Sequence, residues 1–390
     1  MEEKGGAEFV YERTLDMVLA HNVGALSKNL SMPGVQQTLG QRREEIVSTA
    51  KIFGDLPSRG SFNKALFEAY AEYLGQETRE ARFTRALNGL ETMLYVLSRP
   101  PNLRTQLVGG KGYAIEDYRE RIEPFCREFP PIHKFYTRIE RVFHGKGYFA
   151  PSRMYENSVM RPDVARNTFI SSAPEFGNAD IINIDEENER LLHLQRLKRQ
   201  LLFGQKAKPE EEHNDTVSEH VATLLFLERY FLPIAKNDPR QVRKDRLSLD
   251  EGAGMILSHD MPEAIQGDIA THLKTESDAV NEWDTGAEIA GEFAPRASGF
   301  NDDFWRYVEK YELDRDRPPF VGNSWFVKCL DVLEAQFYIF DRETRNKLSR
   351  MHVLPRKEVR GRYEKMLEQF PVLKDHFDAL EQKFHEEGLP

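Results

Sequence analysis

The sequence predicts a mainly α-helical protein, and three observations support this. Apolar residues recur every three or four positions through most of the 390 residues, as in 216–231, 323–340 and 363–384. Alternating apolar and polar runs, which are typical of β-strands, are almost absent. The composition, 40% apolar and 30% charged, is that of a folded protein, and the chain is long enough for two domains with their own cores.

The charge balance and the cysteine count exclude several classes of protein. Acidic residues outnumber basic ones by 64 to 54, and the net charge of −10 disfavours binding to extended nucleic acid. Two cysteines, Cys126 and Cys329, are too few for a disulfide framework or a cysteine-based metal site. The sequence has no recognisable secretory leader and no run of about 18 apolar residues. We therefore expect a soluble, cytoplasmic protein that does not bind membranes.

The segment between the two predicted domains is rich in glycine and proline. Residues 145–179 contain three glycines and three prolines, and they have a mixed polar composition without a clear amphipathic face. A new helix is predicted to begin near Asp185, whose side chain can cap it. The predicted organisation is a helical domain over 1–150, a linker over 151–184 and a second helical domain over 185–390.

The second domain repeats the first. His21-Asn22 and Tyr73 match His259-Asp260 and Tyr311 at an offset of 238 residues. Residues 87–99 match 330–342 at an offset of 243, and residues 119–147 match 360–388 at an offset of 241. Shared polar, glycine and proline positions are not expected of unrelated amphipathic helices. The sequence therefore predicts a tandem duplication.

Four residues of the second domain are candidate metal ligands: His220, His259, Asp260 and Asp331. A capping box over 216–219 places His220 in the first turn of a helix. The His-Asp pair ends an apolar run and is followed by a proline, so it lies at a helix end facing a bend. Asp331 lies beside the apolar stripe of a helix over 325–340, where a buried acid needs a partner. Two imidazoles and two carboxylates suit a divalent Mn, Co, Zn, Fe or Mg ion and leave positions for water and a phosphate oxygen.

Acid and base groups follow the His-Asp pair. Glu263 and Asp268 come three and eight residues after Asp260, and can orient a water nucleophile and protonate a leaving alkoxide. Lys274 follows six residues later and can pair with a substrate phosphate.

The ligand pattern resembles that of the HD-domain metal-dependent phosphohydrolases: a lone histidine, a His-Asp pair 39 residues after it and an aspartate 71 residues beyond the pair. The flanking motifs are similar to those of the bacterial 5′-deoxynucleotidase branch and its eukaryotic relatives. These motifs are Ser218-Glu219-His220, the His-Asp-x-x-Glu-x-x-x-Gly-Asp stretch ending at Asp268, Thr271 with Lys274, and Val327-Lys328-x-x-Asp331-x-x-Glu334.

This resemblance covers residues 187–342 and implies a specific activity. It implies an all-helical HD fold, one divalent metal ion held by the four ligands, catalysis by Glu263 and Asp268, and substrate binding that includes Thr271 and Lys274. The reaction would be hydrolysis of a deoxynucleoside 5′-monophosphate to nucleoside and phosphate. An Arg-Trp-like pair of that branch has no counterpart here, because Leu202 and Phe203 stand at its place. The candidates to replace its phosphate-binding arginine are Arg196, Arg199, Lys206 and Lys208.

The first repeat lacks the residues of this site. Asn22 stands where Asp260 is, Asn88 where Asp331 is, and Ala25 where Glu263 is. This predicts a non-catalytic, HD-like domain. Because enzymes of the resembled family commonly dimerise, we expect the two domains to form a pseudo-dimer within one chain, and a homodimer of whole chains stays open.

Two other function classes stay open at this point. A nucleoside triphosphate or alarmone phosphohydrolase uses the same ligands, and a non-enzymatic helical binding or regulatory protein would hold a structural metal. A di-iron or cyclic-dinucleotide enzyme is disfavoured, because only His272 lies between Asp260 and Asp331 to supply the further histidines that it needs.

Overall fold

The protein is all-α, as predicted. The computed structural model describes residues 9–25, 38–98, 113–114, 122–147, 149–150, 160–177, 183–201, 217–242, 244–262, 275–292, 300–313, 322–346 and 356–388. In this part of the chain the only strands are a parallel pair of two residues each, β1 (Tyr113–Ala114) and β2 (Phe149–Ala150). The described residues form two compact units, which divide near residue 180.

Unit 1 contains seven described helices: α1 (Tyr11–Ala25), α2 (Leu39–Gly54), α3 (Phe62–Gly75), α4 (Arg79–Ser98), α5 (Glu123–Glu128), α6 (Pro130–Gly145) and α7 (Pro162–Ile170). A 3₁₀ turn, Arg59–Ser61, precedes α3. One core cluster joins α4, α5 and α6 through Leu90, Met93, Cys126, Tyr136 and Phe143.

Unit 2 contains eight described helices: α8 (Ile184–Leu201), α9 (Val217–Asn237), α10 (Leu249–Ser258), α11 (Glu276–Glu292), α12 (Phe300–Leu313), α13 (Asn323–Asn346), α14 (Arg356–Leu367) and α15 (Pro371–Glu386). A 3₁₀ turn, Lys244–Arg246, precedes α10. Aromatic pairs tie α13 to the end of the chain: the rings of Phe326 and Phe370 lie 5.3 Å apart, and those of Phe340 and Phe384 lie 4.9 Å apart.

The predicted linker over 151–184 differs from what is observed. Helix α7 lies within it and packs on α2 and α3 of unit 1. The buried ring of Phe169 stacks on Phe67 at 4.3 Å and meets Phe53 at 5.8 Å. A nine-residue helix that buries little more than one aromatic ring has too short an apolar pattern to be recognised among prolines and glycines.

Helices of the two units correspond in sequence order. At the offsets found in the sequence, α1, α2, α3, α4, α5 and α6 correspond to α10, α11, α12, α13, α14 and α15. Helices α6 and α15 begin and end in the same way. Each follows a phenylalanine at the N-cap, begins with a proline, and is followed by a glycine with positive φ, Gly147 at 65° and Gly388 at 66°.

Two glycines allow α10, which leads into the His-Asp pair, to pack closely between its neighbours. A Cβ at Gly252 would overlap the Glu228 carboxylate of α9, and a Cβ at Gly254 would overlap the Tyr307 ring of α12. Glycine therefore sets how near the end of α10 comes to α9 and α12. Among the described helices, none is both long and apolar enough to cross a membrane.

Candidate metal centre

His220 is held on the first turn of α9 by a buried acid. Its Nδ1 lies 3.0 Å from Oε2 of Glu334 on α13, where the N–H donates to the carboxylate, and the Glu334 side chain is only 4% exposed. The opposite ring nitrogen, Nε2, therefore carries a lone pair when the ring is neutral. That Nε2 lies 3.3 Å from Asp260 Oδ2 and 3.4 Å from Asp331 Oδ1.

His259 is oriented by the backbone at the C-terminal end of α10. Its Nδ1 lies 2.9 Å from the carbonyl oxygen of Ile256, one turn earlier, so the N–H donates to that carbonyl. The buried Nε2 lies 3.0 Å from Asp260 Oδ2 and has no hydrogen-bond partner within the described residues. A buried nitrogen without a partner is costly in a folded protein, unless an ion binds it.

These contacts bring lone pairs and negative charge to one point. One atom each from His220, His259 and Asp260 lie within 4.8 Å of one another, and Asp331 Oδ1 approaches from α13. Neutral imidazole nitrogens and carboxylate oxygens at 3.0 to 3.4 Å repel each other, so a cation at this point would stabilise the arrangement. A proton on His220 or a divalent metal ion would meet that need, and nitrogen with oxygen donors is a set that divalent transition metals accept.

The charges on the site shift the pKa values in the expected directions. Burial lowers the pKa of His220, but hydrogen bonds to Asp331 and Glu334 outweigh it and raise the pKa to about 11. Burial raises the pKa of Asp331, but the charge of Lys328 and the contacts with His220 bring it well below its usual range. Burial acts likewise on Asp260, whose pKa is lowered by the charge of His259. Both acids are therefore carboxylates at neutral pH.

Lys328 and Tyr311 hold the second oxygen of Asp331. Lys328 Nζ donates to Asp331 Oδ2 at 2.7 Å and to the Tyr311 hydroxyl at 2.8 Å. The Tyr311 hydroxyl lies 3.3 Å from the same Oδ2, and its ring meets that of His259 edge to face at 4.9 Å. These two side chains thus contact two of the four candidate ligands and leave Asp331 Oδ1 facing His220.

The structure brings His220, His259 and Asp260 together, and Asp331 Oδ1 lies 3.4 Å from His220 Nε2. That these four residues bind an ion stays a prediction. The predicted catalytic residues Glu263 and Asp268, with Thr271 and Lys274, lie outside the described residues. Arg196 lies within α8, and its role also stays a prediction.

The contacts of Lys328, Tyr311 and Glu334 were not predicted from the sequence. A signal was present, because Lys328, Asp331 and Glu334 recur every third residue and so share one side of α13. Tyr311 was also matched to Tyr73 in the repeat, without a role.

Unit 1 contains a cluster at the corresponding positions. The rings of His21 and Tyr73 meet edge to face at 5.0 Å, as those of His259 and Tyr311 do. Arg85, at the position of Lys328, donates to the Tyr73 hydroxyl at 3.0 Å. Asn88, at the position of Asp331, places its amide nitrogen 2.9 Å from that hydroxyl and 3.1 Å from His21 Nε2. An amide N–H of Asn88 therefore donates a hydrogen bond to His21 Nε2.

Comparisons of the chain with protein-family models, with curated proteins and with solved structures found no match.

Proposed function

We propose that unit 2 is a metal-dependent phosphohydrolase, a 5′-nucleotidase that converts (deoxy)nucleoside 5′-monophosphates to nucleoside and phosphate. The observation that carries the proposal is the meeting of two imidazole Nε2 atoms with carboxylates of Asp260 and Asp331, where one buried nitrogen, His259 Nε2, lacks a hydrogen-bond partner in the described part of the chain. Both histidines are oriented through Nδ1, which is how histidine ligands are commonly fixed for metal binding.

The donor set supports one divalent ion rather than a purely structural arrangement of hydrogen bonds. Four protein ligands, from α9, α13 and the residues that directly follow α10, leave coordination positions for water and substrate on a larger divalent ion. When bound, such an ion supplies a Lewis acid for a phosphate oxygen and lowers the pKa of water.

The remaining chemistry belongs to acids that follow the His-Asp pair. In the proposed reaction a water oxygen forms a bond to phosphorus while the bond from phosphorus to the 5′ oxygen breaks. Glu263 and Asp268 are the groups proposed to take the proton from water and to return one to the leaving 5′ oxygen. Lys274, Thr271 and Arg196 are proposed to bind the phosphate.

Phosphate release from chelated protein that has been reloaded with Mn, Co, Zn or Mg tests this proposal. The substrates are deoxynucleoside and ribonucleoside mono- and triphosphates. We expect release from monophosphates that requires metal and is lost in Glu263→Ala, while metal content is kept. Glu288→Ala, an exposed acid on α11 outside the proposed machinery, serves as the control.

Two outcomes would contradict the proposal. Release from triphosphates alone would replace it with a nucleoside triphosphate phosphohydrolase. No release from any substrate, with metal bound at one ion per chain, would indicate a structural metal.

A further inference from the structure

Unit 1 exposes four large apolar side chains on two neighbouring helices. Leu87 and Leu94 on α4 are 37% and 41% exposed, and Phe135 and Val142 on α6 are 45% and 39% exposed. Each pair is seven residues apart, so each forms a stripe along one side of its helix. We call these four residues the α4–α6 face.

The corresponding residues of unit 2 are buried. Leu330, Phe337 and His376 stand at the positions of Leu87, Leu94 and Phe135, and they are 0%, 2% and 0% exposed. The same two stripes are thus covered in one unit and open in the other.

Helix α9 covers the stripes in unit 2. It packs against both α13 and α15. Its His220 contacts Glu334 on α13 at 3.0 Å, and its Phe231 ring meets that of His376 on α15 at 4.8 Å. One helix therefore contacts both α13 and α15, at Glu334 between Leu330 and Phe337 on the first and at His376 on the second.

Helix α8 adds acidic contacts to α15 in unit 2. Glu187 lies 3.2 Å from His376, and Glu189 lies 2.6 Å from Lys383, which stands at the position of Val142. Among the described helices of unit 1, only α5 packs closely against both α4 and α6, and α5 corresponds to α14 rather than to α8 or α9.

Charge indicates what kind of helix fits the open groove. Three exposed cations, Lys134, Arg138 and Arg141, lie on α6 beside Phe135 and Val142, against a single exposed acid, Glu91, between the leucines of α4. Two copies of this face placed together would bring six cations into one interface, which is unfavourable. An acidic helix, in contrast, would meet the cations with opposite charge.

We propose that the α4–α6 face of unit 1 binds an acidic amphipathic helix of a partner protein. The leucine, phenylalanine and valine side chains accept its apolar stripe, and the α6 cations pair with its acids. This inference does not depend on the metal chemistry of unit 2, because none of its residues belongs to that site.

Binding of two synthetic peptides to the full chain tests the proposal. Both have the 21-residue length of α9 and leucines at helical spacing, and their remaining exposed positions are glutamate in one and lysine in the other. Fluorescence anisotropy should show saturable binding of the glutamate peptide and binding at least about tenfold weaker for the lysine peptide.

Variants of exposed residues place the peptide on the face. Phe135→Glu and Arg138→Glu should each lower the affinity for the glutamate peptide roughly tenfold. The first removes an apolar contact, and both place a negative charge near the acids of the peptide. Val164→Glu, at a 44% exposed position on α7, should leave binding unchanged.

Three results would overturn the proposal. The first is an absence of saturable binding. The second is an affinity that is the same for both peptides, or that Phe135→Glu does not change. The third is a concentration-dependent dimer of the full chain that Phe135→Glu dissociates, since the occupant would then be a second copy.

Discussion

The clusters around His21 and His259 differ in the polar groups that surround the histidine, where Asn22 and Asn88 replace Asp260 and Asp331. In unit 1 the amide N–H of Asn88 satisfies the histidine nitrogen, whereas in unit 2 the carboxylate of Asp331 adds a second acceptor beside the nitrogens. The tyrosine and the cation that support these residues keep their contacts in both. The unit 1 cluster thus satisfies its histidine nitrogen with a hydrogen bond, whereas the unit 2 cluster places acceptors beside one another that a cation would stabilise. Tandem duplication, which would account for this likeness, stays a prediction.

The largest effect is expected when unit 2 is given the side chain of unit 1. In Asp331→Asn, an amide N–H can donate to His220 Nε2, as Asn88 does to His21, and one carboxylate ligand is lost. Metal affinity, measured by competition with a chelator, should fall by more than about 100-fold, and phosphate release with it. Asn88→Ala in unit 1 is the control and should keep full metal uptake. Unchanged affinity in Asp331→Asn would remove Asp331 from the site.

Loss of the acid that orients His220 should have the next largest effect. Glu334→Gln replaces the charged acceptor of the Nδ1–H with a neutral amide oxygen, so the ring is fixed less strongly and loses some basicity. Metal affinity should fall about 10- to 100-fold while the helical circular dichroism is retained. Glu91→Gln, at the matching position of unit 1, should change neither. Equal effects of the two variants would show that Glu334 acts on stability alone.

The cations of the two clusters should differ in what they stabilise. Lys328→Met removes one of the two cations that contact the Asp331 carboxylate and leaves only His220, so chelated protein should lose about 2 kcal/mol of unfolding free energy, and bound metal should restore most of it. Arg85→Met removes a hydrogen bond to a neutral tyrosine and should cost about 1 kcal/mol regardless of metal. Thermal unfolding with and without metal measures both, and a Lys328→Met loss that metal does not restore would contradict the site.

Proton and metal should compete for His220. Its pKa is raised from 6.5 to about 11, so its protonated form stabilises the chelated protein fully below pH 6.5, and this contribution is lost as the pH rises towards 11. Over that window apparent metal affinity should rise about tenfold per pH unit, since one proton leaves when the ion binds. Titrations at several pH values check this. A flat profile would mean that His220 is not a ligand.

The smallest effect is expected from giving unit 1 the acid of unit 2. Asn88→Asp places a carboxylate beside His21 and near Arg85, and should change unfolding free energy by about 1 kcal/mol or less. It should recruit no metal, because Asn22 still stands where Asp260 supplies a carboxylate in unit 2. Metal analysis of the dialysed variant checks this, and one extra ion per chain would show that the aspartate alone restores a site.

Local patterns in the sequence predicted local features well. Helical spacing predicted α9 and α13, and the apolar run before His259 predicted a helix that ends at the His-Asp pair, as α10 does. These features depend on neighbouring residues, whose preferences are written in the sequence within a turn or two.

Contacts between distant segments could not be predicted in this way. No local pattern indicates that Glu334 pairs with His220, or that Lys328 and Tyr311 share an oxygen of Asp331. The burial of Phe169 against Phe67 is another such case, because its partner lies about a hundred residues away. Tertiary packing decides these contacts, and a single sequence does not record it.

The hydrogen bond from His220 to Glu334 joins residues 114 positions apart. Closing so long a loop is slow and entropically costly, so it is expected late in folding, after the individual helices have formed. A divalent ion would find its full set of ligands only after that encounter. The rate of metal uptake during refolding would then report how fast unit 2 completes its folding. During synthesis, the chain would be unable to bind the ion until α13 had left the ribosome.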